Sequence, residues 1–142
     1  MLLNEACPGW LYEVKHGATT VWEGWNTVEE NGKINTFSMN HYSPGAAMSW
    51  LFSRCAGIRP EAPGFKKIRI QPYPGGGLTY VSATYKSVSG EIFSAWEVQG
   101  DVFNLTVTIP EGTEARIVLP DGSEHNRKGG TYQFHVEMKV NM

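Results

Sequence analysis

Only two cysteines, Cys7 and Cys55, occur in the 142 residues. They stand too far apart for a local zinc knuckle, whose ligands recur every few positions. Buried free thiols or a single disulfide are the two readings left. The four histidines, His16, His41, His125 and His135, show no H-x-x-x-H spacing, so no structural metal site is expected. Charge of one sign is also missing. Twelve Lys and Arg against fourteen Asp and Glu leave a net charge of -2, which removes the basic field that nucleic acid or an anionic membrane requires. No apolar run approaches the roughly 20 residues of a bilayer span. The opening "MLLNEACPGW" has neither a basic n-region nor an apolar h-region, so no signal peptide or transmembrane segment is expected, and the compartment stays unassigned. The glycines of "YPGGGLTY" lead into a strand-like run rather than a helix, which excludes a phosphate loop. No cofactor is expected.

What is present is a folded composition, 41% hydrophobic and 12% aromatic with 18% charged residues. It is arranged in two halves with different periods. Residues 1 to 59 read as helix and loop. In "SPGAAMSWLFSRCAG" the spacing predicts a helix over 43–57, with Ser43 as N-cap, Pro44 at the first helical position and Gly57 closing the C-terminus. Met48, Leu51, Phe52 and Cys55 form one apolar stripe, and Ala47, Trp50 and Arg54 fill an adjoining one. A helix apolar around most of its circumference requires packing on more than one side. A shorter helix is expected after Pro8, closed by Gly17.

From residue 66 the period is two. Ile68 and Ile70; Val81, Ala83 and Tyr85; Ile92, Ser94, Trp96 and Val98; Phe103, Leu105, Val107 and Ile109; Ala115, Ile117 and Leu119; and Tyr132, Phe134, Val136 and Met138 each share one parity. Turn signals separate them at Ser89-Gly90, Gly100-Asp101, Glu111-Gly112, Asp121-Gly122 and Gly129-Gly130. Short strands with one apolar face and tight turns make an antiparallel β-sandwich. The expected fold is therefore mainly β with an N-terminal helical segment. The stiff connector "GIRPEAPGF" divides a unit of residues 1–59 from one of 60–142. Two helices cannot bury a helix apolar nearly all round. Either they pack on the sandwich, or they end a larger helical domain. An exposed helix of this kind favours self-association of the chain.

The stretch "GATTVWEGWN" places Glu23 between Trp22 and Trp25. By spacing alone Glu23 is either a working acid or base, or a loop carboxylate satisfied by backbone N–H groups. Together, "GATTVWEGW", "MNHYSPGAAMSWLF" and "AGIRPEAPGFKKIRIQPYPGGGLTYVSATYKSVSGEI" resemble the C-terminal end of bacterial α-L-rhamnosidases, from about Pro8 to about Pro120. The resemblance implies that residues 1–59 are the last part of an (α/α)₆ catalytic barrel and that 60–142 are the sandwich that follows it. It further implies an inverting glycoside hydrolase acting on rhamnose-containing glycosides. Such a mechanism needs an acid for the leaving oxygen and a base for the attacking water. The family's base falls on Glu23. His41 matches a substrate-site histidine, and Trp22 and Trp25 match aromatic positions beside the base. No position here matches the acid, so the chain by itself is expected to be inactive. The pattern departs at Gly24, where many members carry Arg.

Each of these positions also has a plainer reading. His41 can serve only the helix that follows it, and Trp22 and Trp25 can be core. Glu5, Glu13, Glu29 and Glu30 are the other carboxylates of this half, none with comparable aromatic surroundings. In the sandwich, Trp96, Tyr80, Tyr85 and Phe93 are either core or a carbohydrate-binding face. A non-catalytic carbohydrate-binding or structural module is thus the competing class. Lys66-Lys67 and "HNRK" are read as solvated surface.

Overall fold

The computed structural model describes residues 3–138 and divides the chain into two compact units, Met1–Met48 and Ser49–Met142. The first unit has one short helix, α1 (Trp10–Lys15), followed at Gly17 by a residue with φ +83°. That left-handed residue closes the helix as the sequence predicts. Its small core holds Tyr12, Trp22 and Thr27, at 2%, 4% and 0% exposure, together with the carboxylic acid of Glu13 at 3%. The Tyr12 hydroxyl donates to the Val28 carbonyl at 2.8 Å, tying α1 to the loop beyond. That loop is a small hairpin with a bridge between Val28 and Ile34.

The single helix expected over 43–57 is broken. Residues Tyr42–Gly45 (α2) and Ala47–Trp50 (α3) are separate turns, and Leu51–Cys55 is a π-helical turn closed by Ala56 N–H on the Leu51 carbonyl at 3.0 Å. The cap is His41 rather than Ser43: its Nδ1 accepts the Ser43 N–H at 3.3 Å. Pro44 falls in the first turn, where no intrahelical N–H bond is lost, whereas Gly45 is costly to order just before the interruption at Ala46, a residue that keeps right-handed helical dihedrals. The apolar stripe is not packed on several sides. Met48 and Trp50 are more than half exposed, and Cys55 alone of the π-helical turn is buried. Both cysteines are free. Cys55 is buried, which pushes its thiol up, whereas Cys7 is exposed and so departs from the expected burial.

The second unit has six strands: β1 (Ile58–Pro60), β2 (Lys67–Ile70), β3 (Tyr80–Ser87), β4 (Gly90–Gln99), β5 (Val102–Val118) and β6 (Glu124–Glu137). The central element is the long β5–β6 hairpin. Glu111-Gly112 and Gly129-Gly130, expected as turns, are a bulge inside it. The register passes from Ile109↔Gly130 to Glu114↔Lys128, so Pro110 to Thr113 face Gly129 alone. A Cβ on Gly129 would lie 2.8 Å from the Glu111 Cα, and the Thr113 hydroxyl pins the bulge by donating to the Pro110 carbonyl at 2.7 Å. Such a bulge bends the ribbon and increases its twist. Before it, β5 pairs with β4; after it, the same edge pairs with β2, while β6 runs along the other edge throughout. The two halves of the bent hairpin thus seed the two layers of the sandwich. All pairings are antiparallel except β2 with β5, which is parallel.

The alternating residues fill the space between the layers. Ile68, Ile70, Ile92, Phe103, Leu105, Val107 and Ile117 are at most 1% exposed, in one core with Trp96 and Phe134. Trp96 is 2% exposed and therefore has no part in a carbohydrate face. Its Nε1 donates to the Cys55 carbonyl at 2.6 Å, and the buried Ser94 hydroxyl donates to the Ala56 carbonyl at 2.7 Å. These two β4 side chains satisfy the carbonyls that the π-helical turn leaves open, as buried backbone groups require. "HNRK" meets expectation at Asn126 and Lys128, which are exposed, whereas the half-buried pair pack on aromatics: His125 lies 5.0 Å from the Phe134 ring and the Arg127 guanidinium sits over Tyr132 and Phe134.

Gly57 joins this core to the preceding turn at φ +78°, and a Cβ there would lie 2.2 Å from the Pro72 nitrogen. Gly57→Ala should cost at least about 2 kcal/mol in urea unfolding; a loss under about 0.5 kcal/mol would show that the approach relaxes freely. A second prediction concerns Glu13. Burial raises its pKa above the ordinary 4.5, opposed in part by the Trp22 N–H. The folded state therefore holds the proton more tightly than the unfolded chain. The stability this contributes is fully present below about 4.5 and is lost as pH rises through the raised value. The neutral Glu13→Gln variant should show a flatter stability profile from pH 4 to 8, read from Trp fluorescence. An unchanged slope would place the pH dependence elsewhere.

Candidate functional site

Two loop segments of the first unit are tied together by backbone hydrogen bonds. The His41 N–H donates to the Val21 carbonyl at 2.8 Å, and the Glu23 N–H donates to the Ser38 carbonyl at 2.9 Å. The Thr20 hydroxyl also donates to the Met39 carbonyl. These bonds bring Glu23 and His41, 18 positions apart in sequence, onto neighbouring segments. Trp22 is buried in the core, while Glu23 is exposed.

The Glu23 carboxylate is held at one oxygen: Oε2 accepts the Ser38 N–H at 2.9 Å. Ser38 is itself fixed, its hydroxyl donating to the Asn40 carbonyl at 3.0 Å and accepting the Asn40 N–H at 3.2 Å. In His41, Nδ1 acts as the acceptor for Ser43, so the neutral ring carries its proton on Nε2. Its ring also stacks on Tyr42, with centroids 5.3 Å apart. His41 thus caps α2 and keeps an outward donor. Both of its readings are compatible with one geometry.

The aromatic pair is split. Trp22, at 4% exposure, presents no open ring face. Trp25 is half-buried and meets Trp10 edge to face at 5.3 Å. At Gly24 the Phe37 ring comes within 3.2 Å of where a Cβ would be. A side chain at that position, such as the Arg of many family members, would have to displace Phe37.

The other carboxylates are sorted by their surroundings. Glu29 accepts from Lys33 Nζ at 3.1 Å and from Asn35 Nδ2 at 3.1 Å, and these bonds hold its carboxyl below the usual range. It clamps the hairpin and stays ionised. Glu5 pairs with Lys15 on the surface. Glu13 is the residue that spacing undervalued. It sits within the core beside Tyr12, with Oε2 3.4 Å from the Trp22 N–H, next to the residue of interest. Its place on α1 between Tyr12 and Val14 was the available signal. Among the described residues no group of His, Cys, Asp and Glu is placed to hold a metal ion, and no helix is long and apolar enough to cross a membrane.

Residues 57–134 match the family described as the bacterial alpha-L-rhamnosidase C-terminal domain, and residues 1–55 match the bacterial alpha-L-rhamnosidase 6 hairpin glycosidase domain. An alpha-L-rhamnosidase of Formosa agariphila is 41% identical over 137 residues, covering 94% of this chain and 15% of the relative. One from Streptomyces avermitilis is 33% identical over 123 residues, 84% of this chain and 12% of the relative. Among solved structures, the alpha-L-rhamnosidase of Aspergillus terreus superposes with a TM-score of 0.90 at 35% identity, covering 96% of this chain and 16% of that one. The Streptomyces avermitilis alpha-L-rhamnosidase complexed with L-rhamnose gives 0.88 at 29% identity, with 96% and 15% covered. The chain therefore spans about a sixth or less of its relatives and belongs to the bacterial alpha-L-rhamnosidase family, whose C-terminal portion it matches.

Proposed function

We propose that this chain carries the general-base half of an inverting α-L-rhamnosidase active site, with Glu23 as the base. Residues 1–59 would be the end of the (α/α)₆ barrel and residues 60–142 the β-sandwich domain behind it. In the reaction, water positioned at Glu23 gives up a proton to the carboxylate as its oxygen attacks the anomeric carbon. The glycosidic bond breaks, and the departing oxygen takes a proton from an acid on the opposite face of the sugar. His41 Nε2–H donates to a rhamnose hydroxyl, and Trp25 supplies an apolar edge to the cleft. Trp22 acts by fixing the backbone from which Glu23 projects.

The observation that carries this reading is the state of Glu23. A base must be ionised and open to water, and this carboxylate is exposed while a backbone N–H orients one of its oxygens. The acid is assigned to a part of the parent enzyme outside this chain. Without it, neither proton delivery nor substrate orientation is available, and those two effects supply most of the rate.

The test is a chimera in which this chain replaces the matching portion of the Streptomyces avermitilis enzyme. The chimera should hydrolyse a chromogenic α-L-rhamnoside and release β-rhamnose first, by NMR of the anomeric proton. Glu23→Gln should lower its kcat by about 10²–10⁴ with little change in KM, and the 142-residue chain by itself should release nothing. Hydrolysis by the isolated chain, or a Glu23→Gln chimera of full activity, would overturn the assignment.

The surface of α2 and α3 fits the same reading. Tyr42, Met48 and Trp50 are 90%, 56% and 51% exposed, which leaves apolar area for the remaining barrel helices. In their absence the chain should self-associate through this surface. Sedimentation velocity should show an oligomer that Trp50→Glu dissociates; a concentration-independent monomer would count against it.

A further inference from the structure

The two outer faces of the sandwich differ in chemistry. On the β1–β2 side the outward residues are charged and joined in pairs: Lys67 with Glu114 at 3.0 Å, Arg69 with Glu61 at 3.8 Å, and Arg116 with Glu124 at 2.7 Å. Such a lattice needs only water. On the β3–β4 side the register aligns a different set of rows across four strands. One row is Ser82, Ala95, Thr106 and Gln133, and the next is Thr84, Phe93, Thr108 and Thr131. Neither contains a charge. A third row, Tyr80, Glu97, Asn104 and His135, flanks the first.

Side-chain size turns these rows into relief. Ser82, Ala95 and Thr106 are short and form a floor, between a ridge begun by Tyr80 and Glu97 and another that carries Phe93. The depression along the floor and the Tyr80 ridge measures about 290 Å³. It crosses β3, β4 and β5, a span of about 10 Å at the usual strand spacing. The ridges are hydrogen-bonded. Asn104 Oδ1 is bonded to His135 Nδ1 at 2.6 Å, the Thr108 and Thr131 hydroxyls are 3.0 Å apart, and Glu97 Oε1 accepts Gln99 Nε2 at 2.9 Å. Tyr80 stands at the open end of the trough with 71% of its surface exposed.

The geometry points to this trough as a binding site for a short run of a neutral oligosaccharide. Charge complementarity selects the ligand. Hydroxyls and amides that both donate and accept match a polyol, and the floor offers no cation to a phosphate or uronate. The Glu97 carboxylate repels anions but accepts sugar hydroxyls. Tyr80 offers an unburied aromatic face of the kind that stacks on the C–H face of a pyranose, with its own hydroxyl free to bond. The site lies wholly in the second unit and shares no residue with the Glu23 segment, so it stands or falls independently of the hydrolase reading.

The test is an amide NMR titration of the full chain. The probes are xylohexaose and a rhamnose-terminated trisaccharide, both neutral, with tetragalacturonic acid as the anionic comparison. Either neutral probe should shift Ser82, Ala95 and Thr106. Tyr80→Ala, on an exposed side chain, should weaken binding about tenfold, and Ala95→Leu should block the floor. Glu23→Gln should leave the titration unchanged. Equal or tighter binding of the galacturonate, shifts confined to other residues, or no shift with either neutral probe would overturn the site. So would shifts of the same residues that follow protein concentration rather than sugar, since these would mark a protein–protein face.

Discussion

One distorted stretch of backbone, the Pro110–Thr113 bulge of β5 opposite Gly129, decides how the β unit is built. A straight seventeen-residue strand would form a single open sheet with one apolar face turned to water. Bent at the bulge, the same strand offers β4 a place along its first half and β2 a place along its second. Its inward residues then face each other across a shared core. Because the inserted residues preserve the parity of the alternation, Phe103 to Ile109 and Ala115 to Ile117 stay on the buried side. Gly129 is needed where a Cβ would lie 2.8 Å from the Glu111 Cα, and the Thr113 hydroxyl donates to the Pro110 carbonyl within the bulge.

Within that core, Trp96 and Ser94 connect the sandwich to the end of the helical segment. Their hydrogen bonds to the Cys55 and Ala56 carbonyls are buried, where water cannot substitute for a lost partner. A residue that reads by pattern as one more inward aromatic is therefore also the receptor for a π-helical turn. The outer faces are freed from this work and diverge, one into ion pairs and the other into uncharged rows.

The first unit follows a different logic. It has little core, and backbone hydrogen bonds between its loop segments help to place its main residues. Glu23 and His41 lie on two such segments, joined by Glu23 N–H to the Ser38 carbonyl and His41 N–H to the Val21 carbonyl, with Trp22 buried and Glu23 exposed. Glu13 is buried in the core of the unit, and Glu29 fixes the hairpin. Two residues of one type thus have pKa values moved in opposite directions within 16 positions, upward by desolvation in one and downward by hydrogen bonding to a lysine in the other.

Local pattern was enough to identify the strands from residue 66 onward, since alternation and turn residues are properties of neighbours in the chain, but β1 (Ile58–Pro60), inside the stretch read as a connector, was set by its pairing with β2. It also gave the helix end at Gly57, whose positive φ only glycine tolerates easily, and the "TTVWE" segment with its single exposed carboxylate. Three features needed the fold. Glu111-Gly112 has the composition of a turn, and only pairing with β6 makes it a bulge. Trp96 has the alternation of any inward aromatic, and only the approach of residues 55 and 56 gives its indole a partner. The 43–57 segment has the stripe of one helix, yet His41 competes for the cap and Gly45 weakens the middle, so it breaks. In each case the deciding contact lies tens of residues away or sets one local preference against another, and spacing along the sequence cannot rank such interactions. Only the packed chain does.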